Sequence, residues 1–304
     1  MDAISSALEH VRRSLPEIAG RSGVPMSEHT SFRIGGPARG MFFPAVAEEL
    51  ISLCGSLHER GVSPYIIGNG TNLLFDDKPL DIVVIKTAKL CAIRRTGEAE
   101  ITAQCGASMS KIAVFACNNG LSGLEFAQGI PGALGGAVSM NAGAYGGEMK
   151  DIVVETKAYD TERGVFSSEG AQQGFSYRKS RFFDTGEIIL SSVMKLKKES
   201  TDSISLRMAE LSARRSESQP LDLPSAGSTF KRPAEGYAAS LIEESGLKGF
   251  AVGGAQVSKK HSGFIVNRGG ASFSDVMAVI EHVRETVFKR TGVRLEPEIK
   301  IIRG

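Results

Sequence analysis

The chain has 304 residues, 41% hydrophobic and 23% charged, with a formal net charge of +2. That balance excludes a disordered chain and a coiled coil. Lys and Arg are scattered rather than clustered, so no nucleic-acid footprint is visible. No run approaches the ~18 apolar residues of a membrane span, and Asp2, Glu9, Arg12 and Arg13 interrupt any signal-peptide core. A cytoplasmic protein with a small-molecule partner is expected, with no nucleic-acid or membrane partner and a monomer as the working state. Cys54, Cys91, Cys105 and Cys117 form no C-x-x-C pair and the five histidines no ligand set, so no metal is implied and the thiols read as free and buried. The length suits about two domains of ~150 residues each.

Ile4, Leu8, Val11 and Leu15 recur at helical spacing and predict a helix within residues 1–20, stopped or bent by Pro16. Gly35-Gly36-Pro37 marks a tight turn before a short strand at 41–43. Val46, Leu50, Leu53, Cys54 and Leu57 outline a second helix closed by Gly61, and residues 65–67 read as a short buried strand. Strands follow at 81–86 and 100–104, then a helix over 108–119 with Ser108 as N-cap and Gly120 at its end.

Residues 153–160 alternate, turn at 161–164 and resume near Val165 and Phe166, which predicts a hairpin. A strand over 187–197 closes the first domain, and 197–202 reads as a linker. A polar helix bearing Arg207, Arg214 and Arg215 runs to Pro220, and a short helix holds Ala239, Leu241 and Ile242. A strand is expected over 263–267. Val276, Val279, Ile280, Val283 and Val287 stripe a helix over 274–290, and a last strand is expected over 293–302. The predicted division is residues 1–200, with a core of about 33–197, and residues 201–304, a smaller α+β domain.

Two glycine-rich stretches stand out. Residues 120–151 carry glycines at 120, 123, 129, 132, 135, 136, 143, 146 and 147, and no Lys or Arg lies between Asn118 and Gly147. Residues 68–72, Gly-Asn-Gly-Thr-Asn, leave a predicted strand and again lack a basic residue. An anionic cofactor there must be held by main-chain N–H groups. The shorter turn lacks the third glycine of the dinucleotide fingerprint and no helix pattern follows it, which disfavours a Rossmann site. A flavin dinucleotide suits two such turns, although either could be a plain tight connection.

Several blocks occur in order along the chain: Thr30-Ser31-Phe32-Arg33-Ile34-Gly35-Gly36-Pro37-Ala38, Gly68-Asn69-Gly70-Thr71-Asn72, Gly129-Ile130-Pro131-Gly132-Ala133-Leu134-Gly135-Gly136-Ala137, Asn141-Ala142-Gly143-Ala144-Tyr145-Gly146, Tyr177-Arg178, Ala226-Gly227-Ser228-Thr229-Phe230 and Leu295-Glu296-Pro297-Glu298-Ile299-Lys300. Together they resemble the UDP-N-acetylenolpyruvoylglucosamine reductase family. The resemblance implies an α+β flavoprotein. Its FAD-binding domain would have the vanillyl-alcohol-oxidase-like (PCMH-type) fold of two α/β subdomains, joined to a smaller α+β substrate-binding domain. It implies non-covalent FAD, NADPH as hydride donor, and reduction of an enolpyruvyl UDP-sugar in peptidoglycan synthesis.

Carried over residue by residue, the resemblance assigns catalysis to Arg178, Ser228 and Glu298. It assigns the cofactor to Arg33, Ile34 and Gly35; to Gly68, Asn69, Gly70, Thr71 and Asn72; to Gly129, Ile130, Pro131, Gly132, Gly135, Gly136 and Ala137; and to Asn141, Ala142, Gly143 and Tyr145. Arg178 and Glu298 match the pair that steadies an enolate-like intermediate, and Ser228 the proton donor. The residues alone also allow blander readings: Arg178 in a solvated basic turn, Ser228 as a turn serine, Glu298 on an exposed strand face. The short span from Arg178 to Ser191 leaves almost no room for the inserted tyrosine loop of one variety of the family, so the chain resembles the second, shorter type. Contacts to the sugar-nucleotide diphosphate are then expected from Arg214, Arg215, Lys231 and Arg232 by charge, with His261 near the substrate. A flavin oxidase of the same fold and a non-catalytic nucleotide-binding module remain the alternatives.

Overall fold

The computed structural model describes residues 2–304. The chain forms two compact units: residues 1–22, 40–69 and 82–214, and residues 23–39, 70–81 and 215–304. Neither is continuous in sequence, unlike the expected 1–200 and 201–304.

In the first unit, helix α1 (Ala3–Ser14) is capped by Asp2, whose Oδ1 accepts the Ser5 N–H at 2.9 Å. It buries Ala7, Leu8 and Val11 and ends short of Pro16, as the missing proline N–H requires. Helix α2 (Ala47–His58) buries Leu50, Leu53, Cys54 and Leu57, and Gly61 takes φ +70° beyond its end. The strand Tyr65–Ile67 lies parallel to the strand Leu80–Lys86, with Ile67 opposite Lys86. Helix α3 (Met109–Asn118) follows Ser108, which occupies the N-cap position without a side-chain cap bond. A short helix α4 (Leu134–Ser139) lies in the glycine stretch.

A five-stranded antiparallel sheet packs against α4, in the spatial order Gly164–Glu169, Val153–Asp160, Ile188–Lys195, Glu100–Gln104, Ile93–Gly97. Its first two strands are the predicted hairpin. Asp160 Oδ1 accepts the N–H groups of Glu162 and Arg163 at 3.0 and 2.9 Å, and Gly164 supplies φ +74°, a turn that closes the hairpin without strain.

The expected linker is not one. Lys197–Lys198 pairs with Leu121–Ser122, Glu199 N–H donates to Gly120 O at 3.0 Å, and helix α5 (Thr201–Ser218) begins directly after. Ile204 and Met208 are buried in the first unit's core, and that apolar anchoring moves the division to 214/215.

In the second unit, helix α7 (Phe273–Thr291) has a full capping box, Ser272 with Asp275, and Gly292 at φ +74° closes it. Val276, Val279, Ile280, Val283 and Val287 are fully buried. A shorter helix α6 (Ala238–Glu244) precedes it. A four-stranded antiparallel sheet has the order Ser225–Ser228, Phe264–Asn267, Ala255–Val257, Ala251–Val252.

Only Lys300–Ile302 of the expected 293–302 strand is regular, parallel to Leu73–Phe75. Pro297 cannot donate to a ladder, and Phe230 bridges it. The strand expected at 41–43 is Pro37–Phe42, starting where the Gly35-Gly36 turn ends. Cys91 is exposed, against expectation, while Cys54, Cys105 and Cys117 are buried. Burial pushes the Cys54 and Cys105 thiols up to about 12. Among the described residues no helix is long and apolar enough to cross a membrane, and no cluster of His, Cys, Asp or Glu could hold a metal.

Candidate active site

In the first unit the two glycine stretches meet. Asn69 Nδ2 donates to Pro131 O at 3.1 Å, and a Cβ placed on Gly68 would stand 2.7 Å from Ala133 Cβ. Residues 132–135 are laced to 105–109: Met109 N–H to Gly132 O, Leu134 N–H to Ala107 O and Gly135 N–H to Cys105 O, at 3.1, 2.9 and 2.7 Å. A Gly135 Cβ would lie 3.2 Å from Cys105 Cβ. Gly135 therefore packs closely on Cys105, with its N–H bonded to protein. Gly136 differs: it is exposed, and a Cβ there would meet nothing within 4 Å.

Arg178 sits in the same unit on a tight loop. Its φ is +54°, a conformation costing a non-glycine residue about 1–3 kcal/mol. Its Nη1 donates to Gly143 O at 3.3 Å, and its guanidinium lies 5.5 Å from the Tyr177 ring. The neighbouring cations have separate partners. Lys179 pairs with Asp184 at 2.9 Å, while Arg181 grips the buried Glu187 with two bonds, 2.9 and 2.6 Å, and Arg163 joins from the other side. The basic cluster of the sequence is thus three distinct roles. Ser180 N–H and Oγ both donate to Ser139 O, at 3.0 and 2.9 Å, which pins the loop to the last residue of α4.

In the second unit, Ser228 ends its strand exposed, after Gly227 at φ +77°. Thr229 N–H donates to Gly263 O at 2.8 Å, and Thr229 O accepts the Glu298 N–H at 2.8 Å. Ser228 and Glu298, distant in sequence, are therefore carried on bonded neighbours. Asn72 Nδ2 donates to Glu298 O at 3.1 Å, and Asn72 O accepts the Lys300 N–H at 2.9 Å. Arg33, Ile34, Gly35, Gly70, Thr71 and Asn72, grouped with the cofactor residues by sequence, belong to this unit. Gly35 and Gly70 have local packing reasons: a Cβ would stand 2.8 Å from Met26 and Phe75 in the first case and 2.2 Å from His29 O in the second.

The sequence pattern of an FAD binding domain matches residues 38–166, and that of the UDP-N-acetylenolpyruvoylglucosamine reductase C-terminal domain matches 219–302. The chain is 48% identical over 278 residues to the UDP-N-acetylenolpyruvoylglucosamine reductase of Caldanaerobacter subterraneus, covering 91% of this chain and 92% of that one. The chain belongs to the UDP-N-acetylenolpyruvoylglucosamine reductase family. The Clostridium botulinum (strain Hall) member is 45% identical, with 94% of each chain covered. The crystal structure of the Thermus caldophilus reductase superposes with a TM-score of 0.80 at 32% identity, covering 94% of this chain and 98% of that one.

Membership implies FAD, and the residues fit it. Gln128 Oε1, inside the glycine stretch, is buried and makes no hydrogen bond among the described residues; a flavin offers donors in its ring N–H and its hydroxyls. Gly136, open on its outer side, leaves room for a ligand that a side chain would fill. Gln128 directly precedes the Gly129–Ala137 block and, being neither glycine nor charged, gives no signal of its own in the sequence. Gly129, Ile130, Ala137, Ala142 and Tyr145 all lie on this stretch, and Ala137 is buried.

The residues expected to meet the diphosphate are dispersed. Arg214, in the first unit, lies 5.3 Å from the Tyr145 ring. Arg215, Lys231 and Arg232 belong to the second, where Lys231 pairs with Glu296 at 3.2 Å and Arg232 lies 4.2 Å from the Tyr237 ring. His261 is half-buried, its Nδ1 accepting the Gly263 N–H at 3.2 Å, and burial lowers its pKa. It is thereby favoured as a neutral ring, a hydrogen-bonding group rather than a cation.

Proposed function

We propose that this chain reduces UDP-N-acetylglucosamine enolpyruvate to UDP-N-acetylmuramate in peptidoglycan synthesis, with FAD as cofactor and NADPH as reductant, and that Arg178, Ser228 and Glu298 carry the chemistry. FAD, once reduced by NADPH, would supply the hydride that reaches the terminal vinyl carbon. The electron pair displaced from the double bond moves toward the substrate carboxylate. Arg178, a fixed cation, meets that charge. Glu298, carried on the neighbouring main chain, is the second group assigned to steady that charge. Ser228 Oγ, exposed at the end of its strand, gives its proton to the neighbouring carbon and regains one from solvent, which completes the addition of one hydride and one proton.

The observation that carries this reading is the bond between Glu298 N–H and Thr229 O. It sets the residue after Ser228 against Glu298, as a proton donor and an enolate-stabilising group require. Preorganised donors of this kind contribute about 10² to 10³ in rate. Contacts to the UDP diphosphate fall to Arg214, Arg215, Lys231 and Arg232, and the enzyme acts as a cytoplasmic monomer.

Stopped-flow of the two half-reactions tests the assignment. Ser228→Ala leaves flavin reduction by NADPH unchanged and slows reoxidation by the enolpyruvyl substrate by about 10² to 10⁴, the range of a positioned acid. Equal loss in both half-reactions removes Ser228 from the acid role.

A further inference from the structure

Asn141, expected among the cofactor contacts, faces protein instead. It is 1% exposed and takes φ +45°. Its Nδ2 donates to Glu148 Oε2 at 2.8 Å and to Ser176 O at 2.9 Å, and its Oδ1 accepts the Lys150 N–H at 2.9 Å. The partners dictate the amide's orientation, since a carboxylate and a carbonyl only accept and a main-chain N–H only donates. Both amide protons are committed, so Nδ2 has none left for a ligand.

What Asn141 holds is the approach to Arg178. Ser176 precedes Arg178 by two residues, and the loop is otherwise fastened by Arg178 to Gly143 O and by Ser180 to Ser139 O. All three fastenings land on residues 139–143. Glu148, the other partner of Asn141, is fixed in turn. It faces Gly143 across a two-residue hairpin, ion-pairs with Lys150 at 2.8 Å and accepts its capping bond from the first turn that follows. A loop with a left-handed arginine at its centre needs such outside support, because its local conformation is unfavourable by itself.

We propose that Asn141 is a positioning residue for Arg178: braced by Glu148, it holds the Ser176 carbonyl and so keeps the strained turn at Arg178 in its working geometry. The proposal rests on the role given to Arg178 above. It gives the glycine stretch a second task, mounting a candidate catalytic side chain.

Asn141→Asp is the sharpest test, because it turns a donor into an acceptor against two acceptors. FAD content and flavin reduction by NADPH stay at wild-type level, while reoxidation by the enolpyruvyl substrate slows about 10²-fold, the scale of a misplaced group, and the loss appears in kcat. Adding Glu148→Gln, whose amide can donate to the new carboxylate, restores part of the rate. In an Arg178→Ala background, Asn141→Asp causes no further loss. Should Asn141→Asp not fold, Glu148→Ala removes the brace from a partly exposed position, and the same split between half-reactions is expected at about 10-fold. Loss of FAD, or equal slowing of both half-reactions, overturns the proposal. If Arg178→Ala slows reoxidation and Asn141→Asp adds its full effect to it, the positioning role alone falls. If Arg178→Ala reoxidises at wild-type rate, the role of Arg178 falls and this proposal with it.

Discussion

Arg178 and the Ser228–Glu298 pair are mounted by different kinds of bond. Arg178 stands on a strained loop whose hold includes single side chains, Asn141 and Ser180, reaching to carbonyls. Ser228 and Glu298 are set by main-chain bonds between Thr229, Gly263 and Glu298, continuous with the parallel pair of Leu73–Phe75 and Lys300–Ile302. A main-chain bond survives any substitution except proline, whereas a side-chain bond disappears with its side chain. The first mount is therefore sensitive to point mutation and the second is robust.

The largest expected effect separates ligand space from packing space within the first mount. Gly136→Val removes FAD from the purified protein, read as flavin absorbance per chain, while the stability of the apoprotein changes by less than about 0.5 kcal/mol, because the outer side of Gly136 is open. Gly135→Ala does the reverse. It retains FAD and costs about 1 kcal/mol, since its Cβ would crowd Cys105. FAD retained by Gly136→Val would move the flavin off this surface.

The second mount is probed at Asn72, its counterpart to Asn141. Asn72→Ala deletes the bond to Glu298 O, costs about 1 kcal/mol in chemical denaturation, and leaves reoxidation within tenfold of wild type, because the main-chain bonds remain. A loss as large as that of Asn141→Asp would erase the distinction between the mounts.

The smallest effect is a pH dependence confined to the first mount. The hydrogen bond from Lys150 holds the Glu148 carboxyl below its ordinary value of 4.5, helped by Asn141 and the Arg178 charge and opposed by partial burial. A group depressed in the folded state adds stability above its ordinary value and loses it as pH falls through the folded one. Acidification below about 4.5 therefore loosens the brace. The contribution is small because the Glu148 side chain is 30% exposed and screened. Comparing the acid limb of the reoxidation rate in wild type and Glu148→Gln checks this; identical limbs would exclude Glu148 as its source.

Local patterns were legible where one short stretch carries the whole signal. The apolar stripe of α7, the hairpin turn from Asp160 to Gly164 and the burial of α2 follow from period and turn chemistry in a few consecutive residues. Boundaries set by distant partners were not. The 197–202 segment looks like a linker by its charge, yet Leu121, Ser122 and Gly120 pair with it. Residues 293–299 alternate like a strand, yet Glu296, Pro297 and Glu298 make separate contacts to Lys231, Phe230 and Thr229.

For the site, the sequence alone determined the residue types: the glycine stretches, their lack of basic residues, and the Tyr-Arg, Gly-Ser and Glu-Pro-Glu blocks that mark the family. Only the tertiary structure decided what each residue faces. Gly135 and Gly136 are adjacent and identical in the sequence, but one packs on Cys105 and the other opens outward. Asn69, Asn72 and Asn141 look like one kind of polar contact, yet they bond to Pro131, Glu298 and the Glu148–Ser176 pair respectively. The reason is physical. An amide or a missing Cβ has no function until the chain brings something within hydrogen-bond or van der Waals reach, and those neighbours come from far along the sequence.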